Sequence, residues 1–313
     1  MREIVILSGK GGTGKTSLTA AFAHLASGHI ICDLDVDAPD LHLILQPENQ
    51  HIEHFISGHA AVIRPDDCER CGQCAAACHY DAIQGEDPPV IDPLKCEGCK
   101  LCVALCPAQA IDFQPNHCGD WYRSTSRFGP MVHAQLFPAE ENSGRLVALL
   151  RQQARAMADA KGLDLILSDG PPGIGCPVIS ALSGTDLAVI VTEPTVSGRH
   201  DLERVLELCR HFKIPTGVII NKCDLNIEQA EGIEAYCKAH HLSLIGKLPH
   251  DMAFTEAMIQ RLAITEFSSN GTRAAVESAW NNILKLAYPN RPSNGLPTAD
   301  PLFKPGYKPL ERS

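Results

Sequence analysis

The sequence predicts an α/β fold: a mostly parallel, doubly wound sheet interrupted by a small α+β insertion. Three observations predict it. A glycine-rich loop over residues 9–14 joins an apolar run, Ile4-Val-Ile-Leu7, to a helical pattern through Leu18, Ala21, Phe22 and Leu25. Farther along, short apolar runs alternate with amphipathic stretches, and such βα alternation makes a parallel sheet covered on both faces. Between these regions lie two similar runs of four cysteines, where composition changes abruptly. A chain of 313 residues can hold one large domain and a small module.

The glycine-rich loop reads Ser8-Gly-Lys-Gly-Gly-Thr-Gly-Lys-Thr16. Gly9-x4-Gly14-Lys15-Thr16 is P-loop spacing in its required context, with a strand before it and a helix after. Gly9, Gly11, Gly12 and Gly14 let backbone N–H groups turn inward around phosphates. Thr13 and Ser17 complete the cradle, and the helix N-terminus adds partial positive charge. Lys15 is expected to neutralise the β- and γ-phosphates, and the Thr16 hydroxyl to hold Mg²⁺.

Net charge is −10, which argues against nucleic acid as a partner, since that requires a basic footprint. No apolar run approaches membrane-spanning length, and Met1 leads directly into the first strand without a signal-peptide pattern. The expectation is a cytoplasmic protein without a membrane partner. Fourteen cysteines in such a chain point to metal or redox chemistry rather than disulfides.

After the first helix, His29-Ile-Ile-Cys32 reads as a short buried strand that delivers Asp33, Asp35, Asp37 and Asp40. Carboxylates at a strand's C-terminal edge are costly unless they face a cation or water, and ligands of open α/β sheets bind at that edge. Residues 42–59 carry little pattern. His51, His54 and His59 show no convincing ligand spacing and read as surface histidines.

Cys68-x2-Cys71-x2-Cys74-x3-Cys78 is followed by Cys96-x2-Cys99-x2-Cys102-x3-Cys106-Pro107. Two copies of this run identify a bacterial-type ferredoxin with two [4Fe–4S] clusters, in which the fourth cysteine of each run ligates the other cluster. One cluster is therefore expected on Cys68, Cys71, Cys74 and Cys106, and the second on Cys96, Cys99, Cys102 and Cys78. Ala82-Ile83 and Ala110-Ile111 repeat in register behind the two runs. His79 departs from the pattern, standing where proline is expected. A zinc site would instead show paired Cys-x2-Cys knuckles.

Residues 117–141 alternate enough for a strand pair that returns from the insertion, and 142–160 read as a helix capped by Asn142 or Ser143 with Leu146, Leu149, Leu150 and Ala154 on one face. The apolar strand 163–168 delivers Asp169-Gly-Pro-Pro-Gly173. An acid there is at the Walker B position and is expected to complete the Mg²⁺ shell. The Gly-Pro turn after it reads as a mobile switch. Strands at 187–191 and 216–220 alternate with helices at 198–212 and 227–239, and closing helices follow at 251–260 and 272–287. Cys32, Cys209 and Cys237 fall on core faces. Asn221-Lys-Cys-Asp224 ends a strand where P-loop proteins read the base, and as Asn-Lys-x-Asp it also matches the guanine-reading pattern, which leaves GTP as the alternative nucleotide. The organisation expected is a discontinuous nucleotide-binding domain over 1–60 and 116–288, an insertion over 61–115, and a proline-rich extended tail over 289–313.

Together, Lys10-Gly-Gly-x-Gly-Lys15-Thr16, Asp33-x-Asp35 and Asp169-Gly-Pro-Pro-Gly173 resemble the deviant Walker A ATPases of the MinD/ParA/Mrp group, related to the nitrogenase iron protein. Here the group carries an inserted ferredoxin domain. The resemblance implies that Lys10 reaches the partner's ATP in a nucleotide-sandwich dimer. It implies that Asp33 touches the Mg²⁺ shell and that Asp35 positions the attacking water. It also implies that Asn221 and Asp224, with Pro249 and Asp251 in a later loop, surround adenine. The activity implied is hydrolysis of ATP to ADP and phosphate by an ATP-dependent homodimer, or heterodimer with a related ATPase. The favoured function couples that hydrolysis to electron transfer through the two clusters to a redox or iron–sulfur client. The alternative is an iron–sulfur carrier of the Mrp type, although the C-terminal Cys-x2-Cys pair of that group is missing. A MinD/ParA-type positioning ATPase fits less well. Cys176, close behind Asp169, is a candidate switch thiol with three open roles: bridging a shared cluster with Cys118, acting as a nucleotide-sensitive thiol, or packing.

Overall fold

The computed structural model describes residues 1–138, 140, 142–268 and 271–290. The expected tail lies outside the described residues from position 291 onward. In chain order the elements are β1 (Arg2–Ser8), α1 (Lys15–Leu25), β2 (His29–Asp33), α2 (Leu41–Leu45) and β3 (Glu48–Ile63). The cysteine-rich segment holds α3 (Gln73–Ala77), β4 (Ile83–Gln84), β5 (Val90–Ile91) and α4 (Leu101–Leu105). Next come β6 (Ile111–Ser126), β7 (Gly129–Leu136), α5 (Ser143–Lys161), β8 (Leu165–Pro172), α6 (Cys176–Leu182) and β9 (Leu187–Thr192). The chain then runs through α7 (Val196–His211), β10 (Thr216–Ile220), α8 (Ile227–Ala239), β11 (Ser243–Lys247), α9 (Ala253–Ile259), α10 (Ile264–Phe267) and α11 (Gly271–Ala287).

A nine-stranded sheet has the order β11-β10-β9-β1-β8-β2-β7-β6-β3. The pairs from β11 to β7 are parallel. β6 and β7 form a hairpin, in which Ser126 Oγ donates to Gly129 O and Ser124 Oγ meets His133 Nε2. β1 is central because Ile4, Val5, Ile6 and Leu7 are wholly buried and the strand is covered on both faces. On one face α1 and α11 pack together, with Phe22 stacked on Trp280 at 5.4 Å between ring centroids. Fully burying a side chain such as Phe22 is worth about 1.5–3 kcal/mol. On α5, Leu146, Val147, Leu150 and Ala154 are buried. Val147 rather than Leu149 completes that face. Arg151 from the same helix is buried too, and its charge is met by Glu3 at 2.6 Å and by the carbonyls of Ser180 and Ser183.

Two findings differ from the sequence reading. Residues 48–63 form one long strand, although 42–59 carry little pattern in the sequence. β8 also continues through Gly170, Pro171 and Pro172 instead of ending at a turn after Asp169. The prolines are tolerated at that end because pairing with β1 is already irregular between Ile6 and Ser8.

The chain forms two compact units: Met1–Ile52 with Trp121–Gln135 and the chain from Ser143, and a second made of Glu53–Asp120 with Leu136–Asn142. The second unit buries little apolar surface. Ala61, Ile63 and Ile111 form its centre, and Cys68, Cys74, Cys96, Cys102 and Cys106 pack directly against them. Among the described residues, no helix is long and apolar enough to cross a membrane.

Candidate functional site

The carboxyl edge of the parallel strands gathers the predicted side chains of the first unit. β1 runs into residues 9–14, where Gly12 and Gly14 adopt φ of 81° and 89°. A side chain at Gly14 would also meet Asn221 Nδ2 at 2.5 Å, so glycine is required there twice over. Beside Gly11 and Gly12 the space is open. Lys15 begins α1 and points to the strand ends, with Nζ 2.9 Å from Asp169 Oδ1 and 3.4 Å from Asp35 Oδ2. Thr16 Oγ1 donates to Asp169 Oδ2 at 2.7 Å. Asp33 and Asp169 lie side by side because β2 and β8 pair in register at those two residues.

Three carboxylates therefore surround a single lysine. Burial opposes the charge on Lys15, but Asp169 and Asp35 outweigh it and raise its pKa. Asp33 is pushed well above the usual carboxylate range by burial first and by Asp169 second. Burial raises Asp35 as well, against the pull of Lys15. Asp33 Oδ2 and Thr13 Oγ1 are buried without a hydrogen-bond partner. An unpartnered carboxylate oxygen beside Asp169 and Thr16 is a donor set that suits Mg²⁺, and an unpartnered hydroxyl inside a loop of open N–H groups suits a phosphate.

Lys10 lies 3.4 Å from both Glu193 Oε2 and Ser197 Oγ. Glu193 also holds Lys222, whose ammonium reaches Gly12 O at 3.1 Å. Partial burial would raise the Glu193 carboxyl, but Lys222 and Lys10 hold it below its ordinary value. Asn221 is buried and donates to Thr13 O at 2.8 Å, bracing the loop from β10. Asp224 accepts from the His250 N–H at 2.6 Å, which ties the loop after β10 to the one after β11 that contains Pro249. Asp251 accepts from Ala253 N and Thr272 Oγ1, so both of its oxygens serve local structure.

Residues 4–264 match the CobQ/CobB/MinD/ParA nucleotide binding domain family. The chain belongs to that family. An uncharacterized protein of Methanocaldococcus jannaschii is 35% identical over 227 residues, covering 72% of this chain and 79% of its own. The septum site-determining protein MinD of Bacillus subtilis is 25% identical over 226 residues, 70% of this chain and 64% of that protein. Among solved structures, MinD complexed with Mg-ADP from Pyrococcus horikoshii matches with a TM-score of 0.57 and 19% identity, covering 91% of this chain and 97% of that one. That likeness shows the α/β fold with its mostly parallel central sheet.

Within this CobQ/CobB/MinD/ParA domain, sequence reasoning missed three participants. Thr19 Oγ1 lies 2.9 Å from Asp169 Oδ1 and 3.0 Å from Lys15 O, one helical turn beyond Lys15, and can donate its one proton to either. Glu193 follows β9 directly, and an acid at the tip of an apolar strand was the available signal. Lys222 lies inside Asn221-Lys-Cys-Asp224, a motif whose base-reading pattern rests on the flanking residues.

The second unit builds two further sites by one repeated backbone path. Gly72 and Lys100 open α3 and α4 at φ of 70° and 67°. Cys78 and Cys106 end these helices with the same φ of −75° and ψ of 110°. Ala82 N–H points at Cys78 Sγ at 3.4 Å, and Ala110 N–H at Cys106 Sγ at 3.3 Å. Because each helix turns its last cysteine away from its own run, the sulfurs sort across the repeat. One cavity is lined by Cys68, Cys71, Cys74 and Cys106, and the other by Cys78, Cys96, Cys99 and Cys102. All of these thiols are free. Four sulfurs around each of two apolar-walled cavities fit four-iron clusters.

Cys32, Cys209 and Cys237 are buried, and burial pushes the last two thiols up to about 11. Cys176 is exposed at the first position of α6, with its Cβ close to Gly144 at the start of α5. Cys118 is wholly buried and donates to Ser57 O at 3.0 Å, which removes it from any surface ligand set.

Asp33 offers a test that needs no catalysis. Its raised pKa means that the folded state resists its ionisation, so its contribution to stability falls as pH rises above the unfolded value near about 4. Asp33→Asn is therefore expected to stabilise the nucleotide-free protein at neutral pH by about 1–3 kcal/mol. In a chain of this size each kcal/mol is worth about 2–4 °C in melting temperature. The difference should shrink as pH falls toward 4, and a thermal melt showing Asp33→Asn less stable at neutral pH would contradict it.

Proposed function

We propose that this chain binds and hydrolyses Mg-ATP as a nucleotide-dependent homodimer, or as a heterodimer with a related ATPase. We further propose that it couples the cycle to electron transfer through two [4Fe–4S] clusters to a client protein. The observation that carries the reading is the pair of cavities lined by crossed sets of four cysteines in a chain whose other unit is a P-loop nucleotide-binding domain. The ATPase part is assigned to 1–60 and 116–288 and the ferredoxin-like part to 61–115. The setting is the reducing cytoplasm, where thiolates persist.

In the ATPase part, Lys15 exchanges Asp169 and Asp35 for the β- and γ-phosphates. Thr16, Asp33 and Asp169 would hold Mg²⁺, which neutralises phosphate charge. Asp35, released from Lys15, accepts a hydrogen bond from the attacking water. Lys10 leaves Glu193 for the nucleotide of the partner subunit. Asn221 and Asp224 lie at the base end with Pro249, and adenine is favoured over guanine by the Mg-ADP carried by the MinD of Pyrococcus horikoshii. In the insertion, the eight cysteines would hold two clusters that supply one-electron chemistry. The switch residues couple the parts by affinity: a client that binds one nucleotide state better than the other is the only means by which hydrolysis performs work on it.

Anaerobically purified protein is expected to hold about eight irons and eight labile sulfides per chain, and to hydrolyse ATP. Electron transfer from the reduced protein to a low-potential viologen should change between ADP and a non-hydrolysable ATP analogue. Zinc in place of iron would defeat the cluster reading. Rates indifferent to nucleotide would defeat the coupling.

A further inference from the structure

A group of possible metal ligands lies in the cysteine-bearing unit, separate from the eight cysteines of its two runs. His54 on β3 and His117 and Asp120 on β6 come from strands that neighbour each other in the sheet. His54 Nδ1 lies 2.7 Å from Asp120 Oδ1, and His117 Nε2 lies 2.9 Å from the same oxygen. The three donor atoms all fall within 4.8 Å of one another, and the two imidazole rings stand 4.1 Å apart.

Two features show that the cluster is shaped rather than incidental. Residues three apart on a regular strand point to opposite faces, yet His117 and Asp120 share an oxygen contact. Cys118 and Gly119 are buried in succession, so the alternation slips by one residue and returns Asp120 to the face of His117. Irregularities of this kind re-aim side chains within sheets. The His117 ring is also held from its edge by Phe137, with centroids 4.8 Å apart.

We propose that His54, His117 and Asp120 bind one divalent first-row transition metal of the zinc type. Two imidazoles and one carboxylate are borderline donors that suit such an ion. Tetrahedral coordination at about 2.0–2.1 Å places donors about 3.3 Å apart, so the present contacts need to open by only about half an ångström. Each imidazole presents a lone pair to the metal by carrying its proton on the other ring nitrogen, a tautomer change within ordinary reach of histidine. His54 is 69% exposed, which leaves a fourth position to water. The site takes no part in the iron–sulfur reading, since it shares no cysteine with it.

The test uses full-length protein purified anaerobically with its iron in place, dialysed to equilibrium against buffered zinc. One zinc per chain is expected beyond the iron. His54→Ala and Asp120→Asn are each expected to weaken that binding by at least about tenfold, with iron content unchanged in both. His54 is exposed and Asp120→Asn keeps the side chain's shape, so unchanged iron reports an intact unit. X-ray absorption at the zinc edge should show nitrogen and oxygen donors near about 2.0–2.1 Å and no sulfur near about 2.3 Å. Absence of the extra zinc, equal binding in the variants, or a sulfur shell would each overturn the assignment.

Discussion

Cys106→Ser is expected to empty the cluster built on Cys68, Cys71 and Cys74 and to spare the one built on the run to which Cys106 itself belongs. Iron should fall from about eight to about four per chain, and the surviving cluster should keep its own spectrum and potential. Cys106 lines the cavity of the first run, while Cys78 completes the cavity of the second. Cys78→Ser is the mirror experiment, and the two variants should lose different clusters. Were Cys106→Ser to destroy the cluster on Cys96, Cys99 and Cys102 while the first survived, the crossed assignment would fall. Loss of both clusters together would instead mean that the unit cannot stand on one. That outcome is separable by the Cys78 variant and by a fold probe, because a unit whose buried apolar centre is as small as Ala61, Ile63 and Ile111 would depend on bound clusters for its fold.

Lys15→Ala and Lys10→Ala are expected to fail in different ways. Lys15 is within ion-pair distance of both Asp35 and Asp169, and among the described residues no other cation pairs with either. Its loss leaves buried carboxylates facing the phosphates, and nucleotide binding should disappear in a direct binding assay. Lys10 lies at the rim of the loop on Glu193, away from that cluster. Lys10→Ala should bind nucleotide normally yet lose ATP-dependent dimerisation and hydrolysis. A cation supplied to phosphoryl transfer from a partner is worth about 10³–10⁵ in rate. Wild-type hydrolysis by the Lys10 variant would mean that no partner lysine acts in catalysis.

The parts of the molecule that were legible in the sequence are those where local chemistry and fold agree. Residues 4–16 read directly as strand, loop and helix, because a doubly buried strand needs a continuous apolar run and a phosphate cradle needs glycines at fixed places. The grouping of the cysteines was legible for the same reason, since a repeated spacing repeats the backbone path that gathers four sulfurs around each of two cavities. β3 was not. Along 48–63 only Phe55, Ser57, Ala61 and Ile63 lie at or below a tenth exposed, so the period of two never rises above the polar background. The His54, His117 and Asp120 cluster was hidden by that same strand. The histidines adjacent to His54 in sequence offer it no ligand spacing, whereas its partners come from β6, and nothing short of the pairing of the two strands brings them together. Glu193 and Thr19 belong to a third kind. Each was visible as a residue, but its use depends on a partner folded in from elsewhere: Lys10 and Lys222 for Glu193, and Asp169 for Thr19.

Glu193 also bears on how the proposed cycle resets. A lysine that must travel needs a berth, and this carboxylate is shared, with Lys10 on one oxygen and Lys222 on the other. The Lys10 contact is a third exposed and, as a surface pair, is worth about 0–1 kcal/mol. Departure is therefore cheap. Nor is Glu193 stranded when Lys10 leaves, because Lys222 keeps it anchored and in position for the return. Outward and homeward journeys are left nearly level in free energy, so the direction of travel is handed to the nucleotide alone.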